Sequence, residues 1–531
     1  MKRDIGRWLP VGWSRPLVAG LVLLWAGAAP AATDSAALVR TYCSGCHEET
    51  NPGFFNRISN LRKSPEGWVM TLFRMRQVHG LALPEDVRDA IVRHLADTQG
   101  LAPSESAAGR FALERRPNVP DLQLEGDTNT MCARCHTAAR VSLQRRDADE
   151  WLKLVHMHVG QWPTLEYQAS ARDRFWWQVA TKEIPSRLAG LFPLDTRAWR
   201  EWRARPRVDP AGEWVVTGHT PGRGDYSGTA MISDDGTGGY TAAYRLEYSD
   251  GTWFDGRSKA IVYTGYEWRG TSDLGGQDVR EVFALDESGN RLRGRWFLAA
   301  HSETGGDFVA ERAGGTPRIV ALSPAALRVG AKQTVTVIGV GLDGVPDFGA
   351  GTASRVLARD SHRIVVEVAV DANAAPGLRQ AAVGAVKGAT PVALYPRVER
   401  IAVEPSYAIA RVGGGRIDPV AAQFEAVGYA SVPGADGRAV DVRLGALAAR
   451  WETAAFNEQA VRDRDPEFSG RIDGSGRFLP AVGGPNPARR FSGNNVGNLS
   501  VVARVSDGGR EVTGTSHLIV TVQRWNTPPI Y

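Results

Sequence analysis

Every cysteine of the chain stands in one of two copies of Cys-x-x-Cys-His, "CSGCH" at 43–47 and "CARCH" at 132–136. Cys-x-x-Cys alone fits half a zinc site, a dithiol redox pair or haem attachment. The adjoining histidine separates them. In c-type attachment two thiols add to the two haem vinyl groups, and the next imidazole lies under the iron. A single four-cysteine zinc site would leave both histidines without a role. We therefore read two covalently bound haem c groups. Cys43 and Cys46 hold the first, with His47 as proximal iron ligand; Cys132 and Cys135 hold the second, with His136 proximal.

The helices after each motif supply candidates for the sixth iron position. For haem one these are His79, with Met75 as the alternative, four residues apart on one helical face. For haem two they are His158, with His156 as the alternative. The two halves form an internal repeat. Each runs from the attachment motif through a helix opened by Trp68 or Trp151 to a histidine with proline five residues on, His79 with Pro84 and His158 with Pro163. Helical periodicity predicts helices over 65–80, 84–100, 147–160 and 167–184, with Asp147 as an N-cap and Gly80, Gly100 and Gly160 as stops.

The first 31 residues read as a cleaved secretory leader, basic and then apolar ("PLVAGLVLLWAGAA", 16–29) before a small-residue cleavage site. Lys2, Arg3, Arg7 and Arg15 stand there against Asp4, so +3 of the formal +5 leaves with it and about +2 remains. That balance gives no case for nucleic acid or an anionic membrane surface. We expect export to the periplasm.

Beyond residue 205 the hydrophobic period becomes two. Six alternating runs between 213 and 314, joined by turns such as "DDGTGG", "SDGT" and "DESGN", predict an antiparallel β-barrel of about six strands. "RIVALSP" (318–324) and "RIAVEP" (400–405) each open a further series of short strands, read as two immunoglobulin-like sandwiches, the first of IPT/TIG type. The expected organisation is a leader (1–31), an α-helical di-haem cytochrome c domain (32–205) and three all-β domains: a barrel (206–316) and sandwiches at 317–397 and 398–531.

These β segments carry no metal-spaced cluster, no nucleophile elbow and no phosphate loop with a lysine. Trp214, Trp253, Trp268 and Trp296 read as filling of a small barrel, and Asp463 with Asp465 as part of a solvated loop. No catalytic residue is expected. The chain holds electron carriers without a visible site that oxidises a substrate.

An exported chain of this length with "RKSPEGW" (62–68), "LQRR" (143–146) and "GQWPTLEYQA" (160–169) in a di-haem domain ahead of three β domains resembles the α subunit of quinohemoprotein amine dehydrogenase. The resemblance spans the mature chain. It implies a β-propeller partner subunit and a small subunit carrying a quinone built from its own side chains. It further implies oxidation of primary amines to aldehyde and ammonia at that quinone, and electron exit through the α-subunit haems to a soluble periplasmic acceptor such as a cytochrome or copper protein. Two other classes remain: a free-standing di-haem peroxidase-like enzyme, and a di-haem electron carrier whose β domains are binding modules.

Overall fold

The computed structural model describes residues 35–161, 172–414, 417–434 and 436–523. The N-terminal region is mainly helical: α1 (Ser35–Cys43), α2 (Pro65–His79), α3 (Glu85–Thr98), α4 (Asp127–Cys132), α5 (Ala139–Ser142), α6 (Ala148–Gln161) and α7 (Ile184–Leu191). Two short strand pairs join them, β1 (Glu49–Asn51) with β2 (Phe54–Phe55) and β3 (Leu61–Lys63) with β4 (Gln144–Arg146). Gly80 terminates α2 in the left-handed conformation, its N–H closing on the Met75 carbonyl. Gly160, expected as a stop, lies inside the last turn of α6. The helix expected over 167–184 is also corrected. Residues 172–175 are not helical, and helix begins at Trp176 and passes through a π turn at Val179–Glu183 into α7. Residues 167–171 lie outside the described residues, as does Pro163.

The two repeats meet in the β3–β4 ladder, and their second helices leave it in the same way. Ser64 caps α2 by accepting from the Gly67 N–H at 3.3 Å, and Asp147 accepts from the Glu150 N–H at 2.8 Å. Lys63 lies over the Trp68 ring at 5.0 Å and Arg146 over Trp151 at 5.5 Å. Trp68 and Trp151 are both 1 % exposed, so each anchors its own repeat's core.

The ladder sets Arg62 directly opposite Arg145. Like charges in that position repel, and both are buried. Glu105 resolves the conflict. Its carboxylate accepts from Arg62 at 2.8 and 2.9 Å, from Arg145 Nε at 3.2 Å and from the Thr196 hydroxyl at 2.8 Å. Burial alone would raise the Glu105 pKa, but the two guanidiniums overcome it and hold the group down at about 2.

The barrel closes with eight strands, not six: β5 (Gly212–Thr220), β6 (Gly224–Asp234), β7 (Tyr240–Tyr248), β8 (Trp253–Tyr263), β9 (Glu267–Leu274), β10 (Gln277–Leu285), β11 (Arg291–Leu298) and β12 (Gly305–Arg312). Part of the miscount has a local cause. Thr264 and Gly265, both at positive φ, turn the chain inside "KAIVYTGYEWRG", which reads as one continuous strand run. Trp214, Trp268 and Trp296 fill the interior with Tyr226, Tyr244, Phe283 and Phe308. Trp253 instead lies outside, half exposed beneath Arg245 and Arg363.

Residues 318–395 form two four-stranded sheets that bury one shared core including Val335, Val366, Val383 and Leu394. The following unit, from Arg400 to Thr521, packs a three-stranded and a four-stranded sheet over Val403, Ala426, Val501 and Leu518, with a small third sheet beside them. Asp465 is not in a solvated loop: it is buried, bonded to Arg489 and to the Asn498 N–H.

The barrel docks on the helical region through buried polar contacts. Thr264 N–H donates to Asp97 at 2.7 Å, the Ser106 and Tyr266 hydroxyls meet at 2.7 Å, and Glu66 pairs with Arg269. At another point His219 ties the barrel to the C-terminal unit, with Nδ1 on Asp225 at 2.7 Å and Nε2 on Glu425 at 2.9 Å. Burial would lower its pKa, but the two carboxylates raise it to about 10.

Two predictions follow from these clusters. Glu105→Gln leaves two buried guanidiniums short of their counter-charge, and we expect a loss of roughly 3–5 kcal/mol in denaturant unfolding at pH 7. Because the Glu105 pKa is depressed, its contribution is present above about pH 4.5 and fades as pH falls toward 2. His219 behaves oppositely. Its raised pKa stabilises the fold fully below about pH 6.5, and this is lost as pH climbs through 10. Thermal scans of His219→Gln against wild type should show a deficit of about 1–3 kcal/mol at pH 6 that shrinks by pH 10.

Candidate haem sites

The first motif sits where α1 ends. Cys43 closes the helix, and the Cys46 and His47 N–H groups fold back onto its carbonyl at 3.2 and 2.9 Å. Cys43 is buried in the core with Phe55, Trp68 and Leu72, whereas Cys46 is exposed. His47 Nδ1 lies 2.9 Å from the Asn56 carbonyl. A carbonyl only accepts, so Nδ1 carries the proton and Nε2 is left as a lone-pair donor.

The second motif likewise starts at the end of a helix, α4, where the Ala133 N–H donates to the Asn129 carbonyl. Cys132 is half-buried, against a core that includes Trp151 and Leu188, and Cys135 is exposed. His136 Nδ1 lies 2.9 Å from the Thr137 carbonyl. Asp121 fixes the chain just beyond, accepting from the Thr137 hydroxyl at 2.6 Å and the Ala138 N–H at 2.9 Å. His158, on α6, places its own Nδ1 2.7 Å from the Leu154 carbonyl. Three imidazoles thus share one device, a backbone carbonyl on Nδ1 and an unprotonated Nε2.

The structure brings His136 and His158 together. Burial lowers the His158 pKa to about 4, and the neighbouring His136, Arg74 and Arg140 push it the same way against the Leu154 carbonyl. His158 shares the inward face of α6 with Trp151 and Leu154, whereas His156 is exposed and meets Trp177 edge-on at 5.1 Å. On α2 the buried stripe of Trp68 and Leu72 continues into Met75 and His79. Met75 is half-buried and His79 exposed. Counted from the two tryptophans, Met75 and His158 occupy the same position, seven residues on.

The cysteines do not fit the other readings. Burial pushes both Cys43 and Cys132 up to about 11. A reactive dithiol pair needs the opposite shift. Nor do the thiols converge: among the described residues no three His, Cys, Asp or Glu side chains are grouped to hold a metal ion. The residues do fit a haem at each motif. A thiol pair on one turn is followed by an imidazole presenting Nε2, and Phe73, Val78, Val159, Phe175 and Trp177 in the same region leave apolar surface exposed. Sequence reading missed the carbonyls of Asn56, Thr137 and Leu154 that orient these rings, because a backbone acceptor leaves no side-chain signature.

Four family models cover most of the chain. That for the quinohemoprotein amine dehydrogenase A, alpha subunit, haem-binding region matches residues 33–199. Those for alpha subunit domains II, III and IV of the same enzyme match 208–313, 316–396 and 401–530. No curated protein matches the chain. Among solved structures, a redesigned beta barrel is 15 % identical over 19 % of this chain and 90 % of its own, with a TM-score of 0.18. A de novo fluorescence-activating beta barrel is 19 % identical over 19 % of this chain and 92 % of its own, at 0.17. The Gamma-CGTase from alkalophilic Bacillus clarkii is 11 % identical over 50 % of this chain and 41 % of its own, at 0.15. Those scores are too low to bear on this fold. The family matches, in chain order from a haem-binding region through three further domains, decide the matter: the chain belongs to the quinohemoprotein amine dehydrogenase alpha-subunit family.

Proposed function

We propose that this chain is the electron-transfer subunit of a periplasmic amine dehydrogenase and carries two covalent haem c groups. Cys43 and Cys46 attach the first and Cys132 and Cys135 the second, with His47 and His136 as proximal ligands. The observation that carries this reading is the repeated pairing of a Cys-x-x-Cys turn with an imidazole whose Nδ1 is committed to a backbone carbonyl. Bound haem supplies a reversible one-electron couple. The chain's own residues orient the imidazoles, shut water from the cores behind Cys43 and Cys132, and set the local charge. His158 is the sixth ligand of haem two. For haem one, half-burial and the tryptophan register favour Met75 over the exposed His79.

The partners are a β-propeller subunit and a small quinone-bearing subunit that oxidises primary amines to aldehyde and ammonia; a soluble cytochrome or copper protein takes the electrons. The β domains, with immunoglobulin-like sandwiches at 317–397 and 398–531, serve as the platform for those subunits. Their size exceeds what two haems require, and obligate interfaces run above roughly 2,000 Å².

Express the chain with its leader in a host that makes c-type cytochromes. Haem staining of a denaturing gel should colour it, and the Cys43→Ala/Cys46→Ala and Cys132→Ala/Cys135→Ala variants should each lose about half the haem absorbance. His158→Ala should turn one haem high-spin, and Met75→Ala rather than His79→Ala should do so for the other. With a primary amine and an artificial acceptor, turnover is expected only once the partner subunits are added. Amine-dependent haem reduction by the chain alone would refute this division of labour, and a high-spin resting spectrum with peroxide turnover would favour a peroxidase.

A further inference from the structure

Between α2 and α6 the protein gathers positive charge that its own carboxylates do not balance. Lys63 is 3 % exposed and Arg146 4 % exposed. The Lys63 ammonium donates to the Thr71 hydroxyl at 2.7 Å, and the Arg74 guanidinium reaches that same hydroxyl at 3.4 Å. The other end of Arg74 finds only the Met157 sulfur, at 3.3 Å. Arg140, on α5, stands four residues past His136 and is close enough to Arg74 to repel it. Among the described residues neither Arg74 nor Arg140 meets a carboxylate.

A carboxylate on α6 is shared among other cations. Glu150 faces Lys153 at 2.7 Å, Arg57 at 3.7 Å and Arg146 at 3.9 Å. Buried cations are kept only where something pairs with them. Cation–π contacts with Trp68 and Trp151 supply part of that for Lys63 and Arg146, and nothing comparable serves Arg74 or Arg140. The missing partner should be anionic and lie beside the His136–His158 pair, because Arg74 reaches Met157, the neighbour of His158, and Arg140 stands four residues past His136.

A haem attached at Cys132 and Cys135 would carry two propionate carboxylates. We infer that Arg74 and Arg140, backed by Lys63 and Arg146, form the binding site for the propionates of the haem attached at Cys132 and Cys135. The inference rests on the haem assignment proposed above. Arg74 then reaches across from the first repeat. Its backbone adjoins Met75, while its side chain serves the haem of the second repeat, so one residue couples the electrostatics of both sites. It acts as a positioning residue.

Spectroelectrochemical titration of the haem-loaded chain tests this without any turnover. Removing one of these cations disfavours the electron-rich state, so Arg74→Gln should shift one haem's reduction equilibrium roughly tenfold toward ferric, and Arg140→Gln the same haem in the same direction. Arg74→Lys keeps the charge and should recover most of the shift. Propionates freed of their cations in a partly buried site titrate at higher pH, so both Gln variants should gain a pH-dependent potential between about pH 5 and 7 where wild type is flat. Wild-type equilibria and pH profiles in both Gln variants, with two covalent haems still visible by gel staining, would overturn the propionate site. Absence of covalent haem at Cys132 and Cys135 in the wild type would instead overturn the haem assignment and take this inference with it.

Discussion

The shared carboxylate of Glu105 is what allows the two halves of the haem-binding region to form one body. The β3–β4 ladder is the joint between the repeats, and it is built from basic residues, with Arg62 facing Arg145 across it. Without a counter-charge that register would repel itself in a buried place. With Glu105 bound to both, the same arginines become cross-links. Arg62 also donates to the Gly100 and Leu194 carbonyls, which fixes the ladder against two further segments. The helices that carry Met75, His79 and His158 begin at this joint, so their directions are set by it.

Several consequences for electron transfer depend on that geometry. The two attachment turns precede helices that leave one ladder in equivalent ways, and Arg74 of one repeat lies against Met157 of the other. The barrel then packs onto this body through Thr264, Tyr266 and Arg269, and His219 continues the connection to the C-terminal unit. Polar contacts thus tie the barrel to the haem-binding region at one place and to the C-terminal unit at another. In the function proposed above, such contacts would hold the haems in register with whatever surface the β domains present.

That the first region binds haem was legible in the sequence, because a thiol, two spacers, a thiol and an imidazole point to haem with little help from context. The helices led by Trp68 and Trp151 were legible for a similar reason: a strong apolar stripe with a side-chain cap at its head. The motifs "RKSPEGW" and "LQRR" were visible as motifs but not as a strand pair, since three-residue basic strands lack any period. Eight barrel strands read as about six in part because a turn of Thr264 and Gly265 hides among β-forming residues, and in part because 279–297 is a single run that holds two strands. Asp465 read as solvated because its partner Arg489 is far along the chain, and long-range pairing leaves no local trace. The buried Lys63 and Arg146 and the half-buried Arg74 escaped notice for the same reason: sequence does not say which basic side chains lose their water.

Thiol accounting on the mature protein tests the central claim most directly, that two equivalent turns each hold one haem. The denatured chain should be treated with an alkylating reagent and then digested, and the peptides containing 43–47 and 132–136 weighed. The account predicts no alkylated cysteine and one haem mass on each of the two peptides. Alkylation at Cys43 and Cys46, or at Cys132 and Cys135, in protein made with a functioning cytochrome c maturation system would contradict it.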